Sequence, residues 1–488
     1  MSSQTPSSPP SPNLTTADKS FFGHPRGLAT LFFTEFGERF SYYGMRALLI
    51  LFMTASMAEG GLGFDDAKAG AVYGLYTSMV YFACVPGGWL ADRLLGLRRA
   101  VLYGGILIAL GQFSMAVNNI SFFYFGLFLV VLGTGLLKAN ISVMVGQLYA
   151  PEDRRRDAGF SIFYMGINLG AFISPLLCGY IGQRIDWRLG FGAAGIGMTL
   201  GLVQYVLGQK NLGDAGLPPK NPALPLLAWL VLALAAGIGL LMGIEVIPVT
   251  AQGLADAGGV MLLTVVIAIF GWMLTTRGWT PKERRRIYGI AVLFLASVAF
   301  WSVFEQAGST LNLFAERSTR TEISGFDFPA SWLQSVNSIF IIALAPVFAW
   351  LWVALGPREP STPAKFSLGL TFVGLGFALL IGGAIQAEQG MQVSPLWLIG
   401  VYFLHTVGEL CLSPVGLSAM TRLAPARVAG LMMGVWFLSI ANGNYIGGRL
   451  AALYEALPLP VLLGSVAGVA ILAGLLLAAM SRPIKKLM

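Results

Sequence analysis

Apolar stretches long enough to cross a bilayer as a helix, which takes roughly 20 residues, recur along nearly the whole chain. Short polar breaks separate them, and we count fourteen such segments. They run at about 27–57, 68–94, 99–118, 121–149, 157–183, 188–208, 223–244, 259–276, 287–312, 330–355, 366–387, 395–421, 428–453 and 458–480. The pattern predicts an all-α polytopic membrane protein with 14 transmembrane helices.

Composition supports this class. Of the 488 residues, 56% are hydrophobic and 11% are charged, and the mean hydropathy is +0.72. A soluble domain usually has about 25% charged residues. The chain is therefore interpreted as an integral membrane protein.

The charged residues predict an orientation, because cytoplasmic loops of membrane proteins hold an excess of Lys and Arg. Of the 31 Lys and Arg residues, 22 lie in the two tails and the even-numbered connections, and 5 lie in the odd-numbered connections. We expect both termini in the cytoplasm and the chain in the plasma membrane. The net charge of +8 then reflects topology, and we expect no nucleic-acid partner.

The seventh and eighth segments contain no ionisable residue and lie between polar linkers, so they are interpreted as an accessory pair. Removing them leaves six helices and then six, an arrangement that many secondary transporters use. The predicted organisation is a disordered cytoplasmic N-tail at 1–26, a six-helix bundle at 27–208, a linker with two accessory helices at 209–285, a second bundle at 286–481, and a cytoplasmic C-tail at 482–488.

The stretch TEFGERFSYYGMR at 34–46 places ionisable groups inside the first apolar segment. At about 100° per residue, one helical stripe carries Glu35, Glu38, Arg39, Tyr42 and Arg46. In a low dielectric, a cation beside two carboxylates can be shared between them, or held by one while the other is protonated. This favours a proton switch. The alternative is a permanently paired, buried salt bridge.

The loop GGWLADRLLGLRR at 87–99 resembles a characteristic loop of the major facilitator superfamily. It contains Asp92 and Arg93, which we interpret as a gate: Asp92 pairs with the neighbouring bundle in one conformation and loses that pairing in the other. The alternative is a loop that only sets topology. The cost of inserting an Asp favours the gate.

Motifs in both halves of the chain carry a more specific resemblance. The pattern E-x-x-E-R-F-x-Y-Y-G at 35–44 resembles the first-helix motif of the proton-coupled oligopeptide transporter (POT) family. Its later motifs resemble GTGLLKANIS (133–142), FYMGINLGAF (163–172), FWSVFEQ (300–306) and GELCLSPVGLS (408–418). The resemblance implies the major facilitator fold and a proton-coupled symporter of di- and tripeptides that works by alternating access in a bacterial inner membrane.

The charged residues also suit a peptide without reference to the family. A zwitterionic dipeptide needs a cation for its carboxylate, an anion for its ammonium, and amides for its peptide bond. Arg46 and Lys138 supply the cations, Glu409 the anion, and Asn168 and Asn337 the amides. We expect the remaining candidates at the rim or in the side-chain pockets: Tyr42, Tyr43, Tyr81, Trp301, Ser413 and Trp436. For the two tryptophans the alternative is packing at the lipid interface.

The resemblance further implies that Lys138 and Glu305 form a salt bridge between the bundles, broken by protonation or by the peptide carboxylate. The expected coupling set is Glu35, Glu38, Arg39, Lys138 and Glu305. The proton is the coupling ion, and we expect no metal and no other cofactor. Two positions depart from the family pattern, since Ala139 and Ser338 stand where proline is usual.

Three other functions stay open. A carrier of another solute such as nitrate is the nearest, although Glu409 would then have no ammonium to pair. A transport-deficient peptide sensor is the second. A membrane hydrolase is the third, but the chain has only two histidines and no evident triad. We interpret His405 as a packing residue and Cys84, Cys178 and Cys411 as scattered core residues, and we expect a monomer surrounded by lipid.

Overall fold

The computed structural model describes residues 18–150, 152–219, 250–323, 325–425 and 428–487. The predicted seventh segment, 223–244, lies outside the described residues, as do most of the N-tail and Met488. Nine helices in the described ranges are long and apolar enough to cross a membrane.

The first bundle consists of α1 (Arg26–Thr54), α2 (Asp66–Phe82), its continuation α3 (Cys84–Leu90), α4 (Leu97–Met115), α5 (Ile120–Gln147), α6 (Arg156–Arg184) and α7 (Trp187–Gly208). The accessory helix is α8 (Ala251–Thr275).

The second bundle consists of α9 (Pro281–Phe304), α10 (Thr310–Ser318), α11 (Ser335–Leu355), α12 (Thr362–Glu388), α13 (Leu396–Leu423), α14 (Ala429–Ala451) and α15 (Leu459–Ala479), followed by α16 (Ser481–Leu487). A hairpin of β1 (Glu322–Ile323) and β2 (Phe326–Asp327) connects α10 to α11.

Most helices follow the predicted segments to within a few residues. The exceptions are two capped N-termini, the end of α9 at Phe304 instead of 312, and the start of α11 at Ser335 instead of 330. Helix α8 begins eight residues before the predicted 259, because the Thr250 hydroxyl accepts the Gly253 N–H. Helix α9 begins six residues early, where Thr280 and Glu283 form a capping box. Such caps satisfy N–H groups that have no partner within the helix, so they extend a helix beyond its apolar stretch.

Part of the segment assigned to the disordered tail is held against the first bundle. The Arg155 guanidinium donates to the carbonyls of Asp18 and Gly23, and His24 Nδ1 lies 2.9 Å from the Tyr149 hydroxyl. Burial and the nearby Arg155 charge hold the pKa of His24 below its ordinary value. The tail boundary predicted at residue 26 was therefore wrong for residues 18–25.

Glycines allow the helices to approach closely. A Cβ placed on Gly448 of α14 would lie 2.2 Å from the Cα of Gly74 on α2, and one on Gly104 would lie 2.6 Å from the carbonyl oxygen of Gly133. Membrane helices use such small residues because lipid provides no hydrophobic force to press them together. The first of these contacts joins the two bundles.

Polar contacts between the bundles gather at the end where α1 and α6 finish. Arg317 of α10 makes a bidentate ion pair with Asp66 of α2, both N–O distances being 2.8 Å. The Asn312 side chain donates to the carbonyl of Ala47 at 2.9 Å. These contacts close this end of the space between the bundles, and we refer to it as the closed end.

The connection between α10 and α11 also contributes to the closed end by binding α6. Trp332 Nε1 donates to the Leu176 carbonyl at 3.0 Å, and Ser335 Oγ donates to the Phe172 carbonyl at 2.8 Å. The two donors lie three residues apart, and the two acceptors lie four residues apart on α6. The connection is therefore held against about one turn of α6.

Candidate functional site

A cavity of about 240 Å³ lies between the two bundles and is lined by both of them. Most of the predicted site residues line it: Glu35, Arg39, Tyr43, Arg46, Tyr81, Lys138, Asn168, Trp301, Glu305, Asn337, Glu409, Ser413 and Trp436. Residues far apart in the chain thus meet at one place.

The predicted carboxylate and arginine cluster forms on α1. The Arg39 guanidinium makes two contacts with the Glu38 carboxylate, and its Nε lies 3.3 Å from Glu35 Oε1. Glu35 Oε2 is buried and has no hydrogen-bond partner among the described residues. Arg39 therefore binds Glu38 more closely than Glu35. Of the two carboxylates, Glu35 is the one that lines the cavity.

Glu38 and Tyr42 lie behind the cavity wall. Both are buried, with 0% and 2% exposure, and neither is among the lining residues. The Tyr42 ring lies 5.1 Å from the Arg39 guanidinium carbon and 5.9 Å from Lys138 Nζ. In this conformation Tyr42 supports the two cations and does not border the cavity.

Glu305 pairs with a different cation from the one expected. Its Oε2 lies 2.7 Å from Arg46 Nη2, and Arg46 Nη2 also lies 3.3 Å from the Glu305 carbonyl oxygen. The expected ion pair with Lys138 is not formed within the described chain, and Arg46 makes the connection between the bundles. Arg46 belongs to the rigid helix α1, whereas Glu305 lies in the short turn Glu305–Gly308 that follows α9.

Lys138 faces aromatic rings. Its Nζ lies 3.9 Å from the centre of the Tyr81 ring, and no carboxylate of the described residues lies within 4.0 Å of it. Helix α5 runs unbroken past Ala139, the position where proline is usual. A cation held at a cavity by π contacts alone can bind an incoming carboxylate without first losing a partner.

The second bundle places an anion on the cavity wall. Glu409 Oε2 accepts from Asn337 Nδ2 at 3.3 Å, and Asn337 Nδ2 also donates to the Thr406 hydroxyl at 2.9 Å. Asn168 of the first bundle donates through Nδ2 to the Tyr164 carbonyl at 2.9 Å. Part of the amide capacity predicted for the peptide bond is thus used within the protein.

Asp92 and Arg93 lie away from the cavity, in the π-helical turn Ala91–Leu95 that ends α3. Both are exposed, and Asp92 has no ion pair within the described ranges. Their interpretation as a gate stays a prediction.

Several residues of the site were missed in the sequence, and Tyr73 and Gln334 are two of them. Tyr73 accepts a hydrogen bond from Arg46 Nε at 3.0 Å, and Gln334 lines the cavity beside Asn337. Tyr73, Thr77 and Tyr81 recur every four residues, a polar stripe that could have identified Tyr73. Gln334 precedes α11 and belongs to no such stripe.

His405 lines the cavity but is packed as an aromatic residue. Its ring stacks on Phe377 with centroids 5.5 Å apart and lies 6.0 Å from the Phe304 ring. Ser338, the second departure from the family pattern, is buried on the same cavity. A serine retains the backbone N–H that a proline lacks. Ser338 can therefore donate in the first turn of α11, which begins directly after Gln334.

Comparisons with known proteins identify the family. The family described as the POT family matches residues 98–462. The chain is 42% identical over 461 residues to the peptide transporter YePEPT of Yersinia enterocolitica, covering 91% of this chain and 90% of that one. It is 37% identical over 492 residues to a di-/tripeptide transporter of Lactococcus lactis subsp. cremoris, covering 98% and 99% of the two chains.

A solved structure is similar over nearly the whole chain. It is the crystal structure of a peptide transporter POT in complex with sulfate, with a TM-score of 0.92, 44% sequence identity, and coverage of 97% of this chain and 98% of that chain. The family match, the relatives and the two-bundle arrangement around one cavity agree. The chain belongs to the POT family of membrane transporters and has the major facilitator fold.

Proposed function

We propose that this protein is a proton-coupled symporter that takes up di- and tripeptides by alternating access. The observation that carries the proposal is that a free cation, Lys138, and a carboxylate, Glu409, face one cavity from different bundles. A zwitterionic peptide bound at both ends would draw the bundles together, so it would favour the occluded state through differential contacts. The relatives named as peptide transporters support the same substrate class.

The orientation follows from the charge distribution. With both termini in the cytoplasm of a bacterial inner membrane, the closed end faces the outside, so this conformation is inward-facing. The closed end would open when the Arg46–Glu305 pair breaks, either because Glu305 is protonated or because the peptide carboxylate competes for Arg46. The protein acts as a monomer, with the proton as its coupling ion.

One proton supplies enough free energy for useful accumulation. A charge that moves through 100 mV yields about 2.3 kcal/mol, and tenfold accumulation requires about 1.4 kcal/mol. One proton per peptide therefore supports roughly fiftyfold accumulation at this potential.

The test uses the purified full-length protein in liposomes that contain a pH-sensitive dye. An inward acid gradient is expected to drive uptake of Ala-Ala against its gradient, with acidification of the lumen that requires the peptide. Protein-free liposomes and a protonophore are the controls. Uptake to the same rate and extent without any proton or voltage gradient would contradict coupling.

Transport of nitrate is the second candidate because the Arg46 and Lys138 cations suit an anion. A competition panel separates the two functions. For a peptide transporter, excess unlabelled Ala-Ala should reduce the uptake of labelled Ala-Ala, and excess nitrate should not. A transport-deficient sensor would bind Ala-Ala and produce no flux.

A further inference from the structure

The accessory helix α8 packs across the place where the two bundles meet. A glycine contact between α2 and α14 joins the bundles there, and the residue that follows each glycine contacts α8. A Cβ on Gly258 of α8 would lie 2.5 Å from Leu75 Cδ1 of α2, and Arg449 of α14 makes an ion pair with Asp256 of α8. One helix, which buries four of its 25 residues, therefore contacts both bundles from outside.

Helix α8 is attached to the second bundle near both of its ends. The ion pair with α14 lies near its start, and near its end the centre of the Phe270 ring lies 5.0 Å from that of Phe294 on α9. Only residues 276–280 separate α8 from α9, and within them Trp279 Nε1 donates to the Met273 carbonyl at 2.8 Å. The short connection is thus folded back onto α8. We therefore expect α8 to move together with the second bundle.

The contact between α8 and α2 is apolar. Leu75 meets Gly258 through carbon atoms, and within the described ranges no hydrogen bond or ion pair joins the two helices. Lipid tails can replace a contact of this kind, so it can break and re-form. Helix α2 also begins at the Asp66–Arg317 pair of the closed end. Since α8 stays with the second bundle, opening of the closed end requires α2 to move away from α8.

We propose that α8 is a brace for the closed end, in which Gly258 provides the space that the Leu75 side chain of α2 occupies. The contact forms when the closed end is shut and is lost when it opens. It therefore stabilises the inward-facing conformation, because a contact made in one state only shifts the population towards that state. This inference rests on the proposed function, since it requires the closed end to open during transport.

The test changes the sizes of the two contacting side chains and measures how often the closed end opens. The reporter is Ser331→Cys in the purified full-length protein, with the three native cysteines replaced by Ala. Ser331 is fully buried against Gly179 of α6 and does not line the cavity, so a maleimide reaches a thiol at this position only when the closed end opens. Because Ser331 packs on α6, a local disturbance between α8 and α2 does not expose it.

Gly258→Leu should raise the labelling rate at least about threefold, because the new side chain overlaps Leu75 and favours separation of the two helices. Leu75→Ala should raise the rate as well, because it removes the side chain that fills the space at Gly258. The double variant moves the bulk from one helix to the other and should label within about twofold of the reporter protein. Gly271→Leu on the same helix is the matched control and should leave the rate unchanged, because a Cβ there meets nothing within 4 Å.

Equal labelling rates for Gly258→Leu and Gly271→Leu overturn the inference. A double variant that labels as fast as Gly258→Leu alone also overturns it, because the size of Leu75 would then be irrelevant. If Gly258→Leu does not fold, Gly258→Ala and Gly271→Ala provide the same comparison, since the Cβ at 258 alone already overlaps Leu75. Failure of the proposed function has a different signature, because an acid gradient would then drive no uptake of Ala-Ala by the wild type, whatever the labelling rates.

Discussion

Glu35 and Glu38 lie three residues apart on α1 and contact the same guanidinium, yet their surroundings differ. Glu38 is fully buried and makes two contacts with Arg39, whereas Glu35 makes one longer contact and keeps an oxygen without a partner at the cavity. Breaking a buried ion pair costs about 3–5 kcal/mol, because it leaves an uncompensated charge. The two carboxylates are therefore expected to respond differently to substitution.

Replacing Glu35 by Gln should separate proton coupling from binding. Arg39 retains Glu38, so we expect Glu35→Gln to fold, to lose at least about tenfold in gradient-driven uptake, and to keep peptide exchange within about threefold of the wild type. Uptake and counterflow of labelled Ala-Ala in liposomes measure the two activities. Glu38→Gln is the comparison, and we expect it to lower the thermal unfolding midpoint as well. Equal loss of uptake and exchange in Glu35→Gln would contradict the coupling role.

At the scale of the elements, pairs of helices meet through glycine instead of through bulky side chains. The contact between α2 and α14 joins the bundles where Gly74 faces Gly448, and α2 also carries Tyr73 and Tyr81 of the site. The geometry of the cavity therefore depends on a close approach of two backbones. A side chain larger than that of glycine at either position would push the two bundles apart.

Gly448→Leu should destabilise the protein and impair transport. Overpacking costs about 1–3 kcal/mol, and a Cβ at this position already overlaps the Gly74 backbone. Gly468→Leu on α15 is the matched control, because a Cβ there meets nothing within 4 Å. We expect a lower thermal unfolding midpoint and lost uptake in the first variant only, measured by tryptophan fluorescence and by liposome uptake. Equal midpoints for the two variants would argue against the tight contact.

At the scale of the whole molecule, the closed end must open once in every transport cycle. Its contacts include the Arg317–Asp66 pair, the hydrogen bonds from Trp332 and Ser335 to α6, and a close approach of Ser331 to Gly179. A Cβ on Gly179 would lie 3.1 Å from the Ser331 Cβ, near the range of about 3.5–4.5 Å that a disulfide spans. The closed end can therefore be locked covalently.

A double variant, Gly179→Cys with Ser331→Cys, should lose uptake on oxidation and regain it on reduction. The background replaces the three native cysteines, all buried and free, by Ala. Each single cysteine variant is a control and should not respond to oxidant. Unchanged uptake by the crosslinked protein would mean that the closed end does not open during transport.

The number and spacing of the membrane helices and the polar stripe on α1 were determined by the sequence itself. Both depend on local quantities, the length needed to cross a bilayer and the 3.6-residue period of a helix. The charged residues within the membrane segments could also be recognised in the chain, which is why Arg46, Lys138 and Glu409 were predicted to belong to one site. All three line the cavity.

Only the tertiary structure decided which of these groups meet. Glu305 pairs with Arg46, Glu38 and Tyr42 lie behind the cavity wall, and Gln334 lines the cavity although it belongs to no periodic stripe. These outcomes depend on how closely the bundles approach, within an ångström or so, and glycine contacts between distant helices set that distance. Glycine contacts between distant helices leave no periodic signal in the chain. The sequence therefore shows which charged residues are present, and only the tertiary structure shows which of them pair.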